Sequence, residues 1–214
     1  LAHELAKQHG AAFYSDLLTT LDGAGLKRAG EAYLEAGRPR RKHGKPFFID
    51  KMGGNFFYIG LIHLILPNAR IVDVRRHPLA CGVSNFFQMF ASEMKNASRL
   101  SDIGQHYRDY VELMAHFERA RPDKVLRVFY EELVLNPEAE IRRLLAFIGV
   151  PFEEACLAFH ETKRVLTTAS SEQVRQPLYR DALEYWRNYD PWLGPLKTAL
   201  GPVLDAYPAV PTFD

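Results

Sequence analysis

Residues 70–85 read Arg70-Ile71-Val72-Asp73-Val74-Arg75-Arg76-His77-Pro78-Leu79-Ala80-Cys81-Gly82-Val83-Ser84-Asn85. The apolar, mostly β-branched residues Ile71, Val72 and Val74 predict a short strand. Pro78 suits the first turn of a helix, where its missing N–H leaves no bond unmade, and apolar residues continue from Leu79 to Phe90 at helical spacing. Strand, polar turn and helix therefore follow one another within about twenty residues, which is half of a βαβ unit.

The same pattern lies on either side. Upstream, Phe47-Phe48-Ile49 precedes a helical stretch from Asn55 to Leu66, broken by Pro67-Asn68. Downstream, an amphipathic helix around 101–119 leads to Val125, Leu126, Val128 and Phe129, and then to helices near 131–135 and 138–148. Strands near 46–50, 70–75 and 124–129 that alternate with helices indicate an α/β fold, a three-layer sandwich with a parallel sheet covered on both faces. Residues 1–37 read as helices punctuated by Gly10, Gly23 and Gly25, and residues 38–45 form a polar loop rich in Lys and Arg. Beyond Gly149-Val150-Pro151, which ends the sheet region, 153–168 read as helix, 169–178 as a polar loop and 179–206 as helix with breaks at Pro191 and Pro195.

Composition narrows the functional classes. With 214 residues the length allows one large domain or at most two, and a single domain over 1–214 is the expectation. Hydrophobic residues make up 47% and charged residues 25%, enough apolar surface to offset the entropy of ordering. Lys+Arg 27 against Asp+Glu 26 leaves a net charge of +1, which argues against a nucleic-acid binder working by bulk charge, so any anion site must be local. Two cysteines, Cys81 and Cys156, cannot build a disulfide framework or a four-cysteine zinc site and read as buried free thiols. The longest apolar run, Phe56 to Leu66, is shorter than the roughly 20 residues that a membrane-spanning helix needs. Together these features lead to the expectation of a cytoplasmic protein with no membrane span, no metal and no nucleic-acid partner.

In open parallel sheets, ligands bind beyond the carboxyl ends of the strands. Three such ends carry suggestive polar groups: Asp50-Lys51, Arg75-Arg76-His77-Pro78 and Tyr130-Glu131-Glu132. Ser84 follows Arg76 by eight residues, about two helical turns on. A guanidinium fork with one neutral hydroxyl suits a phosphate monoester. On spacing alone, the same residues also suit an ion pair and a small packing residue. The stretch from Ser170 to Arg180 is dense in hydrogen-bond donors, as a surface loop or as a lid over an anion would be. No Gly-x-Ser-x-Gly elbow, Cys-x-x-Cys spacing or Gly-rich phosphate loop is present in the sequence.

Asp50-Lys51-Met52, Pro67-Asn68-Ala69-Arg70-Ile71, Arg75-Arg76-His77-Pro78 with Ser84-Asn85-Phe86-Phe87, Tyr130-Glu131-Glu132-Leu133-Val134 and the stretch from Ala169 to Tyr179 resemble the sulfotransferase family. The likeness spans about residues 46–190 and is strongest to a bacterial branch often attached to tetratricopeptide repeats (TPR), which is similar to the tyrosylprotein sulfotransferases. It implies a P-loop-containing nucleoside triphosphate hydrolase-like (sulfotransferase) fold. It also implies transfer of a sulfuryl group from 3′-phosphoadenosine 5′-phosphosulfate (PAPS) to a hydroxyl or amine acceptor, which could be a small molecule, a glycan or a peptide. An upstream TPR region or a second copy of the chain are further candidate partners.

The resemblance also assigns residues. Arg76 and Ser84 match the pair that holds the 3′-phosphate, and Tyr130 matches the residue near the adenine. Ser170, Ser171, Gln173, Val174, Arg175, Gln176 and Tyr179 match the loop over the nucleotide, to which Arg175 or Arg180 would add positive charge. Lys51 would help to neutralise charge at the transfer centre. The sequence departs from the family where His77 and Ala80 replace aspartates and Gly53 replaces a proline. The N-terminal strand and phosphosulfate loop, and with them the general base, are expected upstream of Leu1. A non-catalytic nucleotide-binding or interaction module derived from the fold is the alternative reading. A P-loop kinase is disfavoured because nothing here resembles a triphosphate–magnesium site.

Overall fold

A computed structural model of the chain describes residue 7 and residues 14–41, 44–87, 99–161, 175–176, 178 and 180–213. The chain divides into two compact units, Leu1–Ala69 and Arg70–Asp214.

In the first unit, α1 (Tyr14–Thr20) precedes α2 (Gly23–Gly37). Asp22 caps α2: its backbone is extended and its carboxylate accepts from the Gly25 N–H at 2.7 Å, satisfying one of the donors that a helix start leaves open. Gly25, Ala29 and Gly30 form the buried stripe of α2, and Ala29 packs with Leu61 and Ile65 of α3 (Ile59–Ile65). A Cβ at position 30 would lie 2.1 Å from the Ile65 carbonyl oxygen, so only glycine allows this approach. A 3₁₀ turn, Asn55–Tyr58, leads into α3.

Residues 46–50, expected as the first strand, join no sheet among the described residues. Among the described residues the sheet has two strands, and Phe47 and Ile49 are 67% and 93% exposed. An apolar run becomes a strand only where a neighbour takes its backbone hydrogen bonds. This one is held by side chains instead: Asp50 accepts from the Tyr33 hydroxyl, and Arg41 lies over the Phe48 ring at 5.1 Å.

The second unit carries the parallel pair, β1 (Ile71–Arg75) and β2 (Val125–Phe129), with Ile71 opposite Val125 and Arg75 opposite Phe129. Between them run α4 (Pro78–Phe87) and α5 (Leu100–Ala120), so strand, helix and parallel strand follow the expected order. On α5, residues Ile103, Gly104, Tyr107, Val111, Met114 and Ala115 form a buried stripe at helical spacing. From it Ile103, Tyr107 and Val111 join a core with Leu79, Ala80 and Val83 of α4 and with Leu196 and Leu200 of α9 (Gly194–Leu200), the last two fully buried. The helices α6 (Tyr130–Leu135) and α7 (Pro137–Ile148) follow β2. Pro137 opens α7, and Gly149, left-handed at φ 78°, closes it with its N–H directed at the Leu145 and Ala146 carbonyls.

The remainder of the unit differs from expectation in detail. Residues 153–161 hold two single 3₁₀ turns, Glu154–Cys156 and Phe159–Glu161, in place of a long helix. Neither turn buries a residue, so no packed face extends them. After the four-residue α8 (Asp181–Glu184), a 3₁₀ stretch, Tyr185–Trp192, accommodates Pro191 without a break. Pro195 sits in the first turn of α9 and starts that helix, because proline there gives up no intrahelical bond. A short α10 (Pro202–Ala206) ends the helical order. Cys81 and Cys156 are free thiols, and burial pushes the Cys81 thiol up. No helix among the described residues is long and apolar enough to cross a membrane.

Candidate functional site

Two parallel strands in register end at the same edge of the sheet. Because Arg75 pairs with Phe129, the residues that follow, Arg76 and Tyr130, leave the sheet side by side, and the Arg76 guanidinium lies over the Tyr130 ring, 5.1 Å from its centroid. Both side chains are half-buried.

Adjacent strand residues point to opposite faces, and the two arginines separate accordingly. Arg75 is 2% exposed and is bound to Asp73 at 2.7 Å. Tyr110 of α5 also donates to Asp73, and the Arg75 guanidinium lies over its ring at 5.2 Å. Burial opposes the Arg75 charge, but the Asp73 carboxylate and Tyr110 together hold its pKa above the ordinary range. Arg127 of β2 extends the cluster, paired with Glu118 and 3.8 Å from Asp73. This network is a cross-link between sheet and α5.

The turn after Arg76 is held on two sides. Tyr107 of α5 donates its hydroxyl to the Arg76 carbonyl at 2.6 Å, and the His77 backbone N–H donates to Glu131 Oε1 at 2.8 Å. The other Glu131 oxygen accepts from the Tyr207 hydroxyl at 2.6 Å. The His77 ring stacks on Trp186 with centroids 4.9 Å apart and meets the edge of Tyr207 at 5.2 Å. Burial pushes the His77 pKa down; Glu131 pulls it up, while Arg187 and Arg76 push it further down. His77, where the sequence departs from the family, is thus a ring packed between Trp186 and Tyr207.

Of the expected nucleotide-site residues, Arg76 and Tyr130 are brought into contact. Ser84 is exposed two turns along α4, and Arg175, Gln176 and Arg180 are exposed in the segment before α8. Ser170, Ser171, Gln173, Val174 and Tyr179 lie outside the described residues. Lys51 belongs to the first unit, exposed beside Asp50, whose partner Tyr33 is pushed up to about 12, first by burial and then by its bond to that carboxylate. Sequence reasoning did not find Tyr107, Trp186 and Tyr207 as neighbours of the site, since none carries a local signal. Among the described residues, no group of three or more His, Cys, Asp or Glu side chains could hold a metal ion.

The model of the sulfotransferase family matches residues 21–154, a span that includes both strands, Arg76, Ser84 and Tyr130. The chain belongs to the sulfotransferase family. Its fold agrees with that of a solved sulfotransferase domain from the curacin biosynthetic pathway, at a TM-score of 0.54 and 15% identity, covering 74% of this chain and 60% of that one. An uncharacterized protein of Aquifex aeolicus is 37% identical over 175 residues, which is 80% of this chain and 23% of that protein. Protein-tyrosine sulfotransferase A of Caenorhabditis elegans is 38% identical over 66 residues, 28% of this chain and 17% of that protein. The protein-tyrosine sulfotransferase of Drosophila melanogaster is 34% identical over 71 residues, 30% of this chain and 14% of that protein. The chain therefore spans less than a quarter of the length of these curated relatives. The family match runs through both compact units, crossing their boundary at Ala69.

Proposed function

We propose that this sulfotransferase-family chain serves transfer of a sulfuryl group from PAPS to a hydroxyl or amine acceptor, and that residues 1–214 act as parts of one sulfotransferase domain. The observation that carries the reading is the contact of Arg76 with Tyr130 at the shared carboxyl edge of β1 and β2. A cation beside an aromatic ring at that edge is a donor set fitted to a purine nucleotide bearing a phosphate monoester.

In this reading Arg76 holds the 3′-phosphate through its two-donor fork, and Ser84 adds a neutral hydroxyl donor. Tyr130 offers its ring to the adenine. Arg175 or Arg180 adds positive charge, and Gln176 and the neighbouring loop residues add further donors. Lys51 neutralises negative charge at the transfer centre. When bound, PAPS would supply the sulfuryl group, leaving as 3′-phosphoadenosine 5′-phosphate when its S–O bond to the 5′-phosphate breaks and the acceptor's bond to sulfur forms, with the acceptor's O–H or N–H proton released to a base or to water. The family relationship supports PAPS as the donor.

Thermal unfolding in the presence of 3′-phosphoadenosine 5′-phosphate (PAP) and of AMP tests the reading. A ligand that binds only the folded state stabilises it, by about 2.7 kcal/mol at a hundredfold excess over Kd. PAP is expected to raise the Tm and AMP to do so much less, since the 3′-phosphate is the group they do not share. Equal shifts would reject the assignment of Arg76. Sulfuryl transfer from labelled PAPS then separates an enzyme from a binding module.

A further inference from the structure

We propose that Glu131 is the positioning residue of the nucleotide site, an inference that rests on the sulfotransferase reading above. Its carboxylate joins three separate parts of the chain. One oxygen accepts from the His77 N–H at 2.8 Å, which fixes the turn that carries Arg76. The other accepts from the Tyr207 hydroxyl at 2.6 Å, beyond α10. The residue itself directly follows Tyr130, whose ring lies under the Arg76 guanidinium, so it anchors the backbone turn of which Tyr130 is part. Tyr107 closes the arrangement from α5 by donating to the Arg76 carbonyl. Arg76 is therefore held on both sides of its own peptide unit, and only one of those holds, Glu131, also adjoins the ring that Arg76 covers.

The need for such a hold follows from chemistry. A guanidinium fork gains its advantage over a point charge only when both donors meet the phosphate oxygens together, and small displacements of a pre-organised contact cost large factors in affinity. A carboxylate is otherwise an unfavourable neighbour for a site that binds a highly charged anion. Its presence beside Arg76 is explained by two good hydrogen bonds from a neutral amide and a neutral phenol. Burial and the bond to Glu131 both push the Tyr207 pKa up, so the phenol stays a donor.

This role and a mere charge effect predict opposite signs. Glu131→Gln removes a negative charge near the anion site. If charge were the whole effect, PAP would bind more tightly. A carboxamide can still accept from the His77 N–H but can only donate to the Tyr207 hydroxyl, so two charge-assisted bonds become neutral ones and the hold on the turn weakens. The positioning role predicts that E131Q weakens PAP binding about tenfold, the scale on which charge-assisted hydrogen bonds exceed neutral ones. Its preference for PAP over AMP should shrink as well. Tyr207→Phe keeps the charge and the His77 bond, and is expected to shift PAP affinity in the same direction by a smaller factor.

The test is calorimetric titration of the full-length protein with PAP and AMP, wild type and both variants, at a temperature where circular dichroism shows each to be folded. Weaker and less selective PAP binding in E131Q, with a smaller loss in Y207F, supports the role. Unchanged or tighter binding in E131Q overturns it, even if the variant melts earlier, because a purely structural residue would lower stability and leave the folded site intact. Should E131Q fail to fold, Y207F decides alone, and PAP affinity equal to wild type in it overturns the proposal. If wild type binds PAP no better than AMP, the nucleotide reading itself falls and this inference with it. Selective wild-type binding with unaffected variants removes only the inference.

Discussion

Asp73 and Arg75, two residues apart on one face of β1, form an ion pair at 2.7 Å with side chains 3% and 1% exposed. Neither could be buried alone, since taking a charge out of water costs several kcal/mol unless a partner compensates it. Tyr110 and Arg127 complete the solvation of Asp73. The consequence is that β1 enters the site with one arginine consumed by the fold and the next one directed to its open end.

Removing one partner of this pair leaves the other buried and uncompensated. Asp73→Ala is expected to lower the unfolding free energy by about 3–5 kcal/mol. A denaturant melt measures it, and a loss below about 1 kcal/mol would show that the pair contributes no more than a surface contact.

Arg76→Lys keeps the charge and loses the planar fork. PAP affinity should fall by roughly 1.5–3 kcal/mol, the range of a hydrogen bond to a charged group, with AMP affinity changed far less. Stability should drop by no more than about 1 kcal/mol, the worth of the cation–π contact with Tyr130. Calorimetry and a denaturant melt on the same preparation separate the two effects; a large stability loss with intact affinity would make Arg76 a structural residue.

His77 provides a pH test. Its folded-state pKa is lowered, chiefly by burial, so the unfolded chain, with a pKa of about 6.5, binds the proton more readily. Stability from this group is present above that value and is lost as pH falls through it toward the folded pKa. Urea melts between about pH 7.5 and 5.5 should show wild-type stability declining more steeply than that of His77→Gln, whose side chain does not titrate. Identical slopes would place the titration elsewhere.

Close helix packing in the second unit depends on Gly104. A Cβ there would lie 2.7 Å from that of Ala199 and 3.0 Å from the Leu196 carbonyl oxygen. Gly104→Ala should destabilise by about 1–3 kcal/mol, because overpacking outweighs the gain of about 1 kcal/mol in helix propensity. Gly37→Ala, with nothing within 4 Å of the added methyl, should be neutral or stabilising and serves as the control in thermal melts.

Local pattern alone determined β1, β2 and the helices that follow them, because a short β-branched run and a proline- or glycine-bounded amphipathic stretch are each decided within a few residues. The ends of α7, at Pro137 and Gly149, are legible for that reason, and so is the placing of Arg76 and Tyr130 just beyond two parallel strands. Residues 47–50 carry an equally apolar run, yet remain outside the sheet, since pairing depends on a neighbour and not on the run itself. The site's supports were equally hidden. Glu131 reaches the His77 amide across 54 residues and Tyr207 across 76, and the stacking of Trp186 on His77 joins segments with no shared periodicity. Which of two adjacent arginines is spent on Asp73 follows from the strand's alternation only once the packed face is known, and that face is chosen by α5 through Tyr107 and Tyr110. Sequence sets what each segment can be by itself; the shared core sets which side chains meet, because that is decided by contacts no single segment contains.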